Sequence, residues 1–402
     1  MIGFFGPIRL HVLGIVAATI VGIAQQAVAW PVPSFLGLGE LPGGPDRSLS
    51  SAVSHDGGVV VGVANHDPSS PLLGQAFRWD SNSGMTGLGF LPGGTRYSAA
   101  TGVSADGRVI VGASESASAS FGPTEAFRWT AETGMVSLGD LPGGNFDSRA
   151  EAVSADGSVI VGRGSTGLGN SAFRWTQATG MQYLGDLPGG GTRNEALGLS
   201  LNGSVIVGRA QSAASGTSRY EACFWTQPGV IQALGDLPGG DVSSSAYGVS
   251  GDGSVVVGWG SVDIASFEAF RWTQSSGMVS LGDLPGGNRV SLANAANIDG
   301  TVIVGWGTDS SGGVATIWDQ VNGMRNLKTV LEQDYALDLT GWRLVASLDV
   351  SPDGTTIVGW GVDPSGADRA WRAVIPEPTT LTLFAAVVTV LRRQASKSYP
   401  RL

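Results

Sequence analysis

The heptad Leu-Gly-Asp-Leu-Pro-Gly-Gly is spelled at 138–144, 184–190, 234–240 and 281–287, with near-copies LGELPGG at 38–44 and LGFLPGG at 88–94. A phrase that returns every 46 to 50 residues marks one supersecondary unit stacked on its own copies. Such a chain escapes the rule of thumb that would divide 402 residues into two or three domains.

Between the phrases the order is constant: an S-x-D-G turn, an apolar V-I-V-G run, a variable stretch, A-F-R-W, a short turn and G-M. The turn is clear at Ser104-Ala105-Asp106-Gly107 and appears seven times in all, with Asn202 for Asp in the fourth copy and Asn297 for Ser in the sixth. Asp-Gly between apolar runs is a hairpin signal, because Gly accepts the positive φ of a tight turn. Val109-Ile110-Val111 and its counterparts lack polar alternation, as a strand buried on both faces does. A-F-R-W reads as a third strand and G-M-V-S-L-G as a fourth, ended by Leu-Pro-Gly-Gly because Pro cannot donate to a ladder. Four strands in each of seven units predict an all-β, seven-bladed β-propeller of four-stranded blades. The seventh unit lacks a fourth strand after Ala370-Trp371-Arg372, and 35–40 spells one with nothing before it. The N-terminal strand is therefore expected to complete the last blade and close the ring.

The 63 glycines and 14% charged residues suit a turn-rich β protein. A formal net charge of −10 argues against nucleic acid as a partner. The single cysteine, Cys223, cannot form an intramolecular disulfide. With three histidines, no HExxH and no phosphate-binding loop, neither a cofactor nor a metal is expected.

The two ends carry addresses. Residues 1–29 read as a signal peptide, with an apolar Val12 to Ala24 and a small-x-small cleavage site at Ala27-Val28-Ala29. The propeller is expected over 30–373. In 374–402, Pro376-Glu377-Pro378 precedes the apolar run 379–391 and then Arg392-Arg393. This order resembles the PEP-CTERM sorting signal of exported bacterial proteins, although nine further residues follow the arginines. The resemblance implies processing by signal peptidase and an exosortase, transient association with the inner membrane, and delivery to the cell surface or an exopolysaccharide matrix. The recurring Ala-Phe-Arg-Trp and Leu-Gly-Asp-Leu-Pro-Gly-Gly resemble those of extracellular proteins with HAF repeats, a family without an established activity. The fourth and sixth units depart from it as Ala222-Cys223-Phe224-Trp225 and Ala315-Thr316-Ile317-Trp318.

The long variable loops, such as 63–75 and 209–221, share one face, so ligand binding is expected there. Trp259, Trp306 and Trp360 follow the second strand in three consecutive units and could stack on sugar rings, or simply pack beneath their own loops. Arg47, Arg96, Arg193 and Arg289 follow the Gly-Gly turns, with Tyr97 and Phe146 near in sequence, and could hold an anionic glycan. Arg128, Arg174 and Arg271 are expected to pair with Asp140, Asp186 and Asp283 of their own units. Repetition speaks against catalysis by the turn aspartates, since a catalytic group is needed once. The reading is an exported, non-enzymatic binding or structural module engaging exopolysaccharide or envelope proteins; the alternative is a propeller glycosidase or polysaccharide lyase.

Overall fold

In each repeat, the turn's own side chains hold it in shape. Ser154 Oγ donates to Asp156 Oδ1 at 2.6 Å, the Ser158 amide donates to the same oxygen at 2.9 Å, and the Val159 amide donates to Ser154 Oγ at 3.0 Å. The same three bonds recur at 54–59, 104–109, 250–255 and 351–356. In the sixth copy Asn297 Oδ1 takes over the serine's task and accepts from the Val302 amide. Hydrogen bonding from Ser154 holds the Asp156 carboxyl below its ordinary range, as a solvated turn carboxylate requires.

The computed structural model describes residues 31–45, 47–65, 73–117 and 124–376. Ala27, Ala29, Glu377, Pro378, Arg392 and Arg393 lie outside the described residues. The chain is all-β, and each turn joins the first two strands of a four-stranded antiparallel unit. Ser148–Val153, Val159–Thr166, Gly169–Thr176 and Gly180–Tyr183 pair in that order. Among the described residues the units span 48–87, 98–139, 148–183, 194–235, 244–280, 286–326 and 343–374, numbered one to seven below. Units five and six are joined by a parallel bridge from Phe267 to Val290. In unit seven the fourth strand comes from the other end of the chain: Ser34–Gly37 pairs antiparallel with Asp368–Val374, from Ser34 opposite Val374 to Gly37 opposite Trp371.

The hydrophobic cores lie between consecutive sheets. Val109, Val111 and Ala126 of unit two pack with Ala150, Ile160 and Phe173 of unit three. Val358 and Ala370 of unit seven pack with Val60, Phe77 and Trp79 of unit one. The turn glycine is needed twice over. Gly157 has φ +73, and a Cβ there would lie 2.6 Å from Val109 Cγ2 of the preceding sheet. Gly107 meets Val59 in the same way, and Gly57 sits against Thr356 of unit seven.

Backbone hydrogen bonds link successive turns. The amides of His55, Ala105, Ala155, Leu201 and Ile298 donate to the carbonyls of Ala105, Ala155, Leu201, Gly251 and Pro352, and Asp252 N donates to Ile298 O. A further link from unit seven to unit one would need an N–H on Pro352, which proline lacks. At that junction Asp349 Oδ2 accepts from the Val53 amide at 2.9 Å, and Ser50 Oγ donates to Gly359 O at 2.6 Å.

An insertion between units six and seven forms a short helix, Leu327–Gln333, capped by Asn326. It buries Leu327, Val330 and Leu331 in the core between those units. The segment after it supplies Trp342, whose ring meets Phe35 edge-on at 5.0 Å, and Tyr335, whose hydroxyl donates to Pro376 O at 3.3 Å. The insertion thus packs on both of the chain segments that pair in unit seven. The sheet runs through Val374, and Ile375 is buried beyond it.

The expected arginine–aspartate pairs within a unit are not formed. Arg128 lies opposite Val136, two residues along the strand from the Ala126–Gly139 pair that precedes Asp140. Asp140 instead organises the Gly-Gly turn, accepting from the amides of Leu141 at 2.7 Å, Asp147 at 2.8 Å and Ser165 at 3.2 Å. Asp236 and Asp283 likewise accept backbone amides. Two third-strand arginines reach the next sheet: Arg372 Nε donates to Gly57 O at 2.8 Å and Arg271 Nε to Gly300 O at 3.4 Å, whereas Arg78 pairs with Asp80 of its own strand.

Candidate functional site

The first strand of every unit carries a β-bulge at one fixed place in the repeat. Register shifts fall between Ser50 and Ala52, Ala100 and Gly102, Ala150 and Ala152, Ala196 and Gly198, Ala246 and Gly248, Ala293 and Ala295, and Ser347 and Asp349. The extra residues are Ser51, Thr101, Glu151, Leu197, Tyr247, Asn294 and Leu348. A bulge re-aims its side chain out of the pleat. All seven line one cavity of about 250 Å³, formed by the first strands of all seven units. These seven residues are of six different types, so the lining changes from unit to unit.

The next position is Ala or Gly in six units and Asp349 in the seventh. Its two oxygens accept the amides of Val53 and Val350, at 2.9 and 2.8 Å. Burial outweighs these bonds and pushes its carboxyl up to about 7. His55, two residues beyond Val53, also lines the cavity, and its Nε2 is buried without a hydrogen-bond partner. Burial lowers its pKa, so the neutral imidazole is favoured. Glu151 is matched by Arg149 at 3.0 Å and Arg163 at 3.9 Å. Arg163 also faces Glu195 at 3.7 Å, and Arg209 holds Glu195 at 2.7 Å, so this charge ladder crosses units three and four.

A second concavity, of about 210 Å³, opens on the long-loop side of unit five. Trp259 and Phe267 line it with ring centroids 5.2 Å apart, beside an ion pair between Arg219 and Asp241 at 2.7 Å and the fully exposed Ile264. The Trp259 indole donates to Tyr247 Oη at 3.2 Å, which ties this recess to the wall of the first cavity.

The residues singled out from sequence are dispersed. Trp306 lies over Gly313 and Trp360 stands between Ala346 and Ala370 as cross-strand neighbours; neither lines the Trp259 recess. Arg47 and Tyr97 both line a smaller recess with Val63 and Leu73, and Arg47 faces Asp368 at 3.5 Å. Arg289 is bound to Glu268, whereas Arg96, Arg193 and Phe146 are exposed on separate crossings between sheets. The bulge residues and Asp349 were missed; for Asp349 alone the aligned repeats held a signal, one Asp in a column of Ala and Gly.

Among the described residues no group of three or more His, Cys, Asp or Glu is placed to hold a metal ion, and no helix is long and apolar enough to cross a membrane. No family model matches the chain, and no curated protein sequence does. Solved structures similar to it include TolB from Acinetobacter baumannii, at 16% identity and TM-score 0.41 over 58% of this chain and 53% of that one. A putative TolB from Agrobacterium tumefaciens is similar at 15% identity and TM-score 0.40, over 82% of this chain and 90% of that one. An acylaminoacyl peptidase in complex with Z-Gly-Gly-Phe-chloromethyl ketone is similar at 9% identity and TM-score 0.47, over 78% and 50%. The chain thus spans about half the length of the Acinetobacter protein it matches. At these scores the likeness bears on no function.

Proposed function

We propose that the chain is an exported binding module: seven four-stranded blades closed into a propeller, sorted to the cell surface or matrix, with its long-loop face engaging extracellular polysaccharide. The contacts that repeat from each sheet to the next, and again from unit seven to unit one, support the closed ring. The sequence of the two ends supports export, with signal peptidase and an exosortase as processing partners.

The observation that carries the binding role is the Trp259 recess. An indole and a phenyl ring beside a solvent-facing Arg219–Asp241 pair offer a sugar both an apolar face for its C–H groups and polar edges for its hydroxyls. The test is binding of the purified chain to exopolysaccharide from the producing organism, beside Trp259→Ala. Loss of one stacking ring costs about 1.5 kcal/mol, so affinity should fall about tenfold. Equal binding by a folded variant refutes this site, and binding to an envelope protein alone would move the role to that partner.

A further inference from the structure

We propose that the cavity formed by the first strands is a binding site for a small organic cation, whose ammonium sits against the Asp349 carboxylate. A different set of residues carries this inference from the one that carries the polysaccharide reading, and either can fail alone.

The cavity is built rather than incidental. Seven bulges turn seven side chains into it, and no Lys or Arg is among the residues that line it. Its polar groups are mainly acceptors. Asn294 commits its Nδ2 to Ser347 O at 2.8 Å, which leaves Oδ1 to offer. Glu151 already has Arg149 and Arg163. Asp349 has no basic partner among the described residues; its neighbours in the bonding pattern are two backbone amides. A buried carboxylate in that position lacks a counter-charge, and a cation would supply it. His55 also lines the cavity, with its Nε2 buried in the protein and unpartnered, so it brings no accessible cation of its own to the site. The space, about 250 Å³, equals that of about eight waters, enough for a compact amine. An anion would meet two carboxylates, and a neutral sugar would leave Asp349 unmatched.

Titration calorimetry of the full chain at pH 8 tests this, with ethanolamine and glucosamine as probes, glucose as the neutral analogue of the second and acetate as an anion. One or both amines should bind with a Kd of 1 mM or below, and glucose and acetate at least tenfold more weakly. Asp349→Asn should weaken the amine at least tenfold, while Val321→Ser, on the exposed surface, should leave it unchanged. Should Asp349→Asn fail to fold, wild type at pH 5 serves instead: Asp349 is then protonated, and binding should weaken at least tenfold. His55, Glu151 and Tyr247 are the other titratable groups lining the cavity, so the pH 5 result is compared with that of His55→Leu. No saturable binding of either amine by a folded wild type, glucose binding as tightly as glucosamine, or undiminished binding by folded Asp349→Asn would each overturn the proposal.

Discussion

Replacing Asp349 by Asn should flatten the dependence of stability on pH. In the folded chain burial raises this carboxyl from an ordinary 3.8 to about 7, while the unfolded chain restores the ordinary value. A pKa raised by folding contributes stability that is fully present below the unfolded value and is lost as pH rises through the folded one. The whole rise is worth about 4 kcal/mol at 1.36 kcal/mol per unit, and about 2.5 kcal/mol of it falls between pH 5 and pH 8. Asn keeps one oxygen for the Val53 or Val350 amide and turns an NH₂ towards the other, which costs about 1–3 kcal/mol at any pH. Urea unfolding at pH 5 and pH 8 measures both proteins. His55, Glu151 and the half-buried Asp140 and Asp236 titrate in each and cancel in the comparison. Wild type should lose about 2.5 kcal/mol more than the variant across this interval, so the variant should be the weaker protein at pH 5 and lose that deficit by pH 8. An identical pH response in the two would refute the reasoning, because no buried ionisation would then be linked to folding at 349.

Three other outcomes follow from the contacts between sheets. Gly84→Ala should cost about 1 kcal/mol, since φ is +67 with open space around it, whereas Gly157→Ala adds overlap with Val109 and should cost about 2–4 kcal/mol; equal denaturation midpoints would remove the inter-sheet role of the turn glycine. Asp140→Ala strands three backbone amides and should lower stability by about 2–3 kcal/mol, read by thermal unfolding. Deleting 34–37 exposes the edge at Asp368–Val374 and removes Phe35 from Trp342, so size-exclusion chromatography should show self-association; a monomer as stable as the parent would show that the strand is dispensable.

Most of the local structure was legible in the sequence. Asp-Gly turns and the Leu-Pro-Gly-Gly breaks depend on backbone preferences that act within a few residues, so each hairpin could be placed by its own letters. The orphan at 35–40 was legible too, because a repeat missing one strand at one end and holding a spare at the other leaves little choice of partner. What the sequence could not decide are contacts made across sheets. Arg271 and Arg372 reach the turn of the next unit rather than the aspartate of their own, since strand direction carries the guanidinium away from that acid. Nor could it show that one extra residue in each first strand becomes a bulge: 51, 101, 151, 197, 247, 294 and 348 look like ordinary strand letters until pairing leaves them without a partner. Only the tertiary structure gathers them, and with them Asp349 and His55, around one cavity, because that convergence comes from the way the sheets stand against one another and no single repeat contains it.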